Sequence, residues 1–196
     1  MERKIISKEL RGLYISKKKS VPEIAKIYKC SENKINYWLK RYRVNKRSIS
    51  DAIYLKYNPN GDPFKVVFPR DIREAQLFGL GLGIYWGEGN KLNKNAVRVG
   101  NSDPAVLKTF INFLEKFFCV KKDDLKFHLH TFSDIDIEDC YNYWVDQLGV
   151  NRNQFYKPTV TITGKLGTYR KKSEYGVITI YYGNTKLRNK LVELLS

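Results

Sequence analysis

One glycine-rich stretch constrains the fold most strongly, Glu74-Ala-Gln-Leu-Phe-Gly-Leu-Gly-Leu-Gly-Ile-Tyr-Trp-Gly-Glu-Gly-Asn90. Its apolar residues predict a buried helix, although each interior glycine costs ~1 kcal/mol relative to alanine, so that four cost roughly 3–4 kcal/mol. Gly79, Gly83 and Gly87 recur every four residues and therefore share one helix face. A face stripped to its backbone lets another helix approach closely. The pattern thus predicts a tight helix–helix contact, with Glu88 at its end.

The residues after this stretch alternate between strand-like and helix-like patterns. Period-two alternation predicts strands over 96–102, 125–131, 159–163 and 177–182. Apolar residues at helical spacing predict helices after Ser102-Asp-Pro104, over 137–148, and over 186–195 behind an Asn184 cap. We expect Leu77, Leu80 and the apolar residues Val160 and Ile162 to be buried. The fold class predicted for the chain is α+β.

The segment Gly81-Leu-Gly-Ile-Tyr-Trp-Gly-Glu-Gly89 resembles the LAGLIDADG motif of homing endonucleases and their relatives. The resemblance extends over residues 74–196 and implies a mixed αββαββα domain with a DNA-binding sheet. In that family two motif helices pack tightly, and each delivers one acidic residue to divalent metals above the scissile phosphates. By position, Glu88 takes the place of that acidic residue, and Trp86 replaces an Asp that is frequent in the motif.

Glu88 is therefore the catalytic and metal-binding residue that the resemblance implies, with Mg²⁺ as the cofactor. Because the chain has one motif, the implied enzyme is a homodimer whose interface contains Gly79, Gly83 and Gly87. Mg²⁺ prefers oxygen ligands such as carboxylates, water and phosphate oxygens. The alternative for Glu88 is a structural role, in which its carboxylate caps neighbouring backbone amides.

Alternation also predicts a polar sheet face that lacks carboxylates. Its expected members are Arg98, Lys126, His128, His130, Thr159, Thr161, Thr163 and Thr179. A surface of this kind can bind the phosphates and base edges of DNA. The alternative is that the face is exposed to solvent and binds nothing. The two histidines could also bind a metal, but no third ligand is near in sequence. Lys165 and Lys171 lie in a basic loop that we expect to contact phosphates.

The N-terminal segment is a separate basic module. Residues 1–50 hold 15 of the 36 Lys and Arg but only 4 of the 20 Asp and Glu. Ser7 is a candidate cap for a first helix, Ser20-Val-Pro-Glu23 is a capping box, and Ser31 is a third N-cap. Apolar residues at helical spacing behind each cap predict three short helices.

Residues 20–44 resemble resolvase-type helix-turn-helix domains. In this arrangement the second helix enters the major groove, where Asn and Arg pair with base edges. The expected DNA-binding residues are Asn33, Lys34, Asn36, Tyr37, Lys40, Arg41 and Arg43. Lys46 and Arg47 are expected to contact phosphates, and Lys17, Lys18 and Lys19 are expected mainly to change the salt dependence of binding. The alternative is a solvated three-helix bundle.

Composition limits the remaining classes of function. A formal net charge of +16 over 196 residues favours a polyanionic partner. The sequence lacks a run of ~18 apolar residues, the length that a membrane span needs, and its N-terminus does not resemble a signal peptide. We therefore expect a cytoplasmic, nucleoid-associated protein. The three cysteines lack zinc-finger spacing. The expected domains are 1–50 and 74–196, joined by a 51–73 linker.

Two functions from different classes remain open at this point. The first is a sequence-specific endonuclease that cuts double-stranded DNA as a metal-dependent homodimer. The second is a transcription regulator that uses the helix-turn-helix and a LAGLIDADG-type fold to grip DNA without cutting. A structural RNA-binding protein is disfavoured because most aromatic residues have core spacing rather than forming an open stacking platform.

Overall fold

The computed structural model describes residues 5–163 and 173–196. The chain divides into two compact units, Met1–Pro63 and Phe64–Ser196, and each has its own apolar core. The first unit contains α1 (Ser7–Arg11), a π-helical turn (Gly12–Ser16), α2 (Val21–Tyr28), α3 (Glu32–Arg41) and α4 (Ile49–Tyr57). Its core is closed by Leu10, Ile24, Ile35 and Leu39, all fully buried.

Local capping explains where the helices of the first unit begin. The predicted capping box is confirmed, because the Ser20 hydroxyl accepts from the Glu23 amide and the Glu23 carboxylate accepts from the Ser20 amide. Ser31 likewise caps α3 by accepting from the Lys34 amide. The predicted Ser7 cap is wrong. The N-cap of α1 is Ile6, which has no side-chain acceptor, so Ser7 is already helical.

The second unit is a mixed α+β structure. It contains α5 (Ile72–Glu88), β1 (Val97–Asn101), α6 (Pro104–Phe118), β2 (Lys126–Phe132), α7 (Ile137–Leu148), β3 (Thr159–Thr161), β4 (Val177–Tyr182) and α8 (Thr185–Glu193). The expected order αββαββα is wrong, because α6 separates the first two strands. Asp103 caps α6 by accepting from the Ala105 amide, and Pro104 occupies its first turn.

The strands of the described residues form one sheet in the order β1-β4-β2-β3. β4 pairs antiparallel with both β1 and β2, whereas β2 and β3 are parallel. One face carries the buried core residues of the sheet and packs against the helices. These residues are Val97, Val99, Phe127, Leu129, Ile178 and Ile180. The opposite face of the sheet is open.

The expected linker at 51–73 contains more structure than predicted. Helix α4 spans residues 49–57 and crosses the expected domain boundary. The second unit begins at Phe64. Phe64 and Val66 pack against the apolar core of that unit. The Lys65 amide donates to the Phe118 carbonyl at 3.0 Å, and the Val67 amide donates to the Phe117 carbonyl at 2.8 Å. The second unit therefore begins about ten residues earlier than expected, because backbone pairing with α6 was invisible in the sequence pattern.

In the described part of the chain, every helix is too short or too polar to cross a lipid bilayer.

Candidate nucleic-acid interface

Helix α3 presents a polar face to solvent. Its inner side is held by Ile35 and Leu39, which are fully buried in the first unit. Of the predicted contact residues, Asn33, Tyr37, Lys40, Arg41 and Arg43 are exposed, and Lys34 and Asn36 are half-buried. Residues of this set line a shallow depression of about 540 Å³ that continues into the segment after the helix. The structure thus brings five of the predicted residues together in this depression, and Lys34 and Arg41 are not among its lining residues.

Arg41 is partly ordered by its own helix. Its Nη1 donates to the Tyr37 hydroxyl at 3.3 Å, and its guanidinium lies 5.8 Å from the centre of the Trp38 ring. Arg43 follows the helix in the left-handed region, with φ of 50°, which turns the chain away from the helix axis. Both cations therefore lie at the C-terminal end of α3 and remain accessible to a ligand.

Arg47 does not have the role predicted for it. Its guanidinium faces its own chain, where it donates to the carbonyl oxygens of Tyr14, Lys18 and Lys19 and covers the Tyr14 ring. A guanidinium that is already bound to three carbonyls is not available for phosphate. Lys46, by contrast, is exposed as expected.

The open face of the sheet collects the predicted polar residues in rows across the strands. One row contains Arg98, Tyr181 and Lys126, and the next contains Gly100, Thr179 and His128. His130 follows beside Thr159, and Thr161 lies beside Phe132. These positions contain no carboxylate, as alternation predicted. The strand positions of this face are therefore positive or neutral, whereas beyond the end of β3 the Thr163 hydroxyl donates to the Asp134 carboxylate at 2.6 Å.

The two histidines are fixed by threonines of the neighbouring strand. His128 Nε2 is 3.0 Å from Thr159 Oγ1, and His130 Nε2 is 2.8 Å from Thr161 Oγ1. Burial and the neighbouring His130 lower the pKa of His128 below its usual value. Across the described ranges no group of three or more His, Cys, Asp or Glu is placed to hold a metal. The histidines thus have hydrogen-bonding partners but not the companions of a metal site.

Sequence reasoning missed the aromatic residues on this face. The Arg98 guanidinium lies over the Tyr181 ring, 4.7 Å from the centre of that ring. The Tyr181 ring also packs edge-on against Tyr156. Phe132 stacks beside His130 with ring centres 6.2 Å apart. The signal was present for Tyr181, because strand alternation places it on the same face as Thr179. Tyr156 gave no such signal, since it precedes β3 in an irregular segment.

Strand β3 is less buried than predicted. Val160 is 38% exposed and Ile162 is 58% exposed, although both were expected to meet the helices. β3 is an edge strand of only three residues, so Ile162 lies beyond its end. An edge position has a neighbouring strand on one side alone, which leaves apolar side chains accessible.

The glycines of α5 fall into two groups. Gly79, Gly83 and Gly87 are exposed, and an added Cβ at any of them would meet nothing within 4 Å. Gly81 lies on the opposite side, where an added Cβ would clash with the Phe113 ring of α6. Gly81 therefore mediates the contact within the unit, while the predicted glycine face is left open.

Large apolar side chains accompany that open glycine face. Ile72, Leu80 and Trp86 are 74%, 59% and 62% exposed. The prediction that Leu80 is buried is thus wrong for the single chain. It projects away from α6 on the outer side of the helix, near the glycines.

Glu88 is the last residue of α5 and is exposed. Immediately after it, Gly89 bridges to Val99 and the Asn90 amide donates to the Arg98 carbonyl at 3.0 Å. The carboxylate therefore lies where α5 meets the β1 edge of the sheet. It makes no hydrogen bond or ion pair with the described residues, so the proposed capping of backbone amides is not observed there.

The carbonyl groups at the end of α5 bind a cation. Lys91 Nζ donates to the carbonyl oxygens of Trp86 and Tyr85 at the end of α5. The C-terminal end of a helix carries partial negative charge, which an ammonium group offsets. Glu88 is thus an unpaired carboxylate beside a partly neutralised helix end. Among residues 5–163 and 173–196, Glu88 belongs to no group of three or more His, Cys, Asp or Glu that could hold a metal.

Two predicted DNA contacts, Lys165 and Lys171, lie outside the described residues. Comparisons of the chain with protein-family models, with curated proteins and with solved structures find no match.

Proposed function

We propose that this chain is a sequence-specific protein that binds double-stranded DNA through α3 and through the open face of the sheet. The observation that carries the proposal is the open sheet face, where Arg98, Lys126 and His128 lie in adjoining rows without a carboxylate. Sheet faces on ordinary soluble domains mix charges of both signs, whereas DNA repels any acidic group pressed against its phosphates.

Helix α3 supplies a second surface with the same chemistry. Its capped N-terminus and buried Ile35 and Leu39 leave Asn36, Tyr37 and Arg41 on the outer side. A helix of this size fits the major groove, and Asn and Arg make the most selective pairs with base edges. In this proposal, α3 reads bases while the surrounding cations bind phosphates.

We further propose that the protein cleaves DNA as a homodimer, following the resemblance of residues 81–89 to the LAGLIDADG motif. Two copies of α5 would meet at Gly79, Gly83 and Gly87, and this would bring two Glu88 carboxylates to one two-fold axis. Glu88 from each chain would then hold Mg²⁺ together with water and phosphate oxygens. A bound ion of this kind activates water and stabilises the leaving oxygen in phosphodiester hydrolysis.

The second candidate is a regulator that binds DNA without cutting it. It is favoured because the motif segment 81–89 contains one carboxylate, Glu88, so that a single chain lacks the acidic groups for cleavage. Trp86 stands where the motif often has a second acidic residue. Under this alternative the α5 face and the sheet serve only to position α3 on its site.

Binding is tested by selecting DNA from a randomised duplex library with the full chain. We expect a defined sequence to be enriched, and Arg41→Ala to weaken its binding by about 1–3 kcal/mol while relaxing preference at one base pair. Lys56→Ala, at an exposed cation of α4, is the matched control and should leave the preference unchanged. Recovery of unrelated sequences by the wild-type chain would contradict the proposal.

A further inference from the structure

Arg47, six residues beyond the end of α3, makes several hydrogen bonds to the backbone of the first unit. Its Nη1 donates to the Lys18 carbonyl at 3.1 Å and to the Lys19 carbonyl at 3.2 Å, and its Nη2 donates to the Tyr14 carbonyl. Its own amide donates to the Tyr14 hydroxyl at 2.9 Å. The guanidinium also lies 4.2 Å from the Tyr14 ring centre. Arg47 therefore ties the segment after α3 to the loop before α2.

The loop that Arg47 holds has an unusual backbone. It begins with the π-helical turn Gly12–Ser16, and the Lys17 amide donates to the Gly12 carbonyl at 2.9 Å. Lys18 has φ of 53°, a left-handed conformation that is unfavourable for a residue with a Cβ. Such conformations persist where surrounding contacts impose them. Here the Lys19 amide donates to the Leu13 carbonyl at 3.0 Å, as at other helix C-termini with a left-handed residue. Arg47 adds its bonds to the carbonyls of Lys18 and Lys19, the two residues of the turn, and so holds it against the segment after α3.

The side chains of this loop are directed to solvent. Lys17 and Lys18 are exposed and pair with none of the described residues, whereas Lys19 lies 3.7 Å from the Glu23 carboxylate. The loop thus presents two uncompensated ammonium groups immediately before Ser20, the N-cap of α2. In a helix-turn-helix, the helix that precedes the recognition helix crosses the DNA backbone. The two lysines lie at the start of that helix.

We propose that Lys17 and Lys18 form a binding element for DNA backbone phosphates, and that Arg47 is its positioning residue. This inference rests on the proposed DNA-binding function and deepens it. Arg47 contacts no phosphate itself and acts by fixing the loop. Because it is only six residues beyond α3, it also fixes the distance between the phosphate contacts and the base-reading helix.

The test measures the dependence of DNA affinity on salt concentration, using the full chain and a duplex selected by the wild type. Arg47→Lys keeps the net charge, but its single nitrogen cannot reproduce the planar fork in which Nη1 and Nη2 reach carbonyls on two sides. We expect it to reduce the salt slope by about two units, one for each lost phosphate contact. Lys46→Ala is the matched control, since it removes a neighbouring exposed charge without touching the loop, and its slope should fall by about one unit at most.

A double-mutant cycle distinguishes positioning from direct contact. If Arg47 acts through the lysines, Arg47→Lys should cause no further loss of affinity in a Lys17→Ala/Lys18→Ala background. A wild-type slope in Arg47→Lys, or a loss that adds fully to that of the double variant, would overturn the inference while DNA binding itself stands. Tyr14→Phe, which removes the acceptor of the Arg47 amide, should lower the slope in the same direction and serves if Arg47→Lys does not fold. Wild-type protein without salt-dependent DNA binding would instead overturn the proposed function.

Discussion

At the scale of single residues, His128 is controlled by the strands around it. Its Nε2 faces Thr159, its ring lies edge-on to Tyr181, and the neighbouring His130 and its own burial lower its pKa. The folded state therefore disfavours the charged imidazolium relative to the unfolded chain. This coupling gives one residue a measurable effect on stability.

The effect of His128 depends on pH in a defined direction. Above pH ~6.5, the usual histidine pKa, the ring is neutral in both states and causes no loss. As the pH falls below that value, the unfolded chain binds the proton first, so the free energy of unfolding decreases. We predict that His128→Gln reduces the loss of stability between pH 7.5 and pH 5.5, measured by urea unfolding. An unchanged pH dependence would mean that His128 is not held neutral by the fold.

At the scale of elements, α5 has two glycine surfaces with opposite requirements. Gly81 packs against α6, and an added Cβ would lie 2.6 Å from Phe113 Cβ, a distance that real side chains do not reach. Gly79 faces open space. Replacement of glycine by alanine should therefore change the free energy of unfolding in opposite directions at Gly81 and Gly79.

We predict that Gly81→Ala lowers the free energy of unfolding by about 1–3 kcal/mol, because the clash with Phe113 outweighs the gain in helix propensity. Gly79→Ala is the matched control and should raise it by up to ~1 kcal/mol in the monomer. Urea unfolding at low protein concentration measures both. Equal effects of the two substitutions would contradict the packing of α5 on α6.

The open glycine face leads to a second prediction for α5. Gly83→Leu should prevent close approach of two helices and yield monomers or insoluble protein, because no side chain fits where two backbones touch. Gly183→Leu, at an exposed glycine outside α5 with open space around it, is the control. Light scattering gives the oligomeric state. A wild-type chain that stays monomeric at high concentration, with and without DNA, would rule out the dimer.

Helix caps and strand alternation were sufficient to predict much of this architecture. Ser20, Ser31 and Asn184 cap helices as expected, because a cap is a local interaction within three residues. The burial of β3 and the clamp of Arg47 were not predictable in this way. They depend on which strand lies at the sheet edge and on contacts between residues about 30 positions apart.

In the candidate site, too, local features could be predicted and contacts between distant residues could not. The sheet rows of Arg98, Lys126 and His128 follow from period-two alternation. The position of Glu88 beside β1 does not, because it depends on the bridge from Gly89 to Val99. An added Cβ at Gly89 would lie 2.6 Å from Tyr85 Cδ2, so this glycine permits the turn that places Glu88 there. Sequence pattern thus indicated candidate residues but not their spatial relation.

At the scale of the whole molecule, the chain carries a net charge of +16 and has a proposed DNA surface in each unit. Proteins that bind DNA through several phosphates release counterions, so their affinity falls steeply as salt increases. Charge alone would produce binding without sequence preference. Specific recognition and cleavage require in addition that α3 reads bases and that two Glu88 carboxylates meet at one phosphate pair.

The most direct test of this account is cleavage of a plasmid library that contains the sequence bound by the wild-type chain, with Mg²⁺, Mn²⁺ or Ca²⁺. We predict cutting at the bound sequence with Mg²⁺, and its loss in Glu88→Gln, which keeps the side-chain shape but removes the charge. The variant should bind DNA as well as or better than the wild type, because a carboxylate repels phosphate in the absence of metal. Cleavage that survives Glu88→Gln would mean a contaminating nuclease or a different catalytic site and would contradict the role of Glu88. No cleavage of the bound sequence by the wild type would contradict the nuclease and leave the regulator.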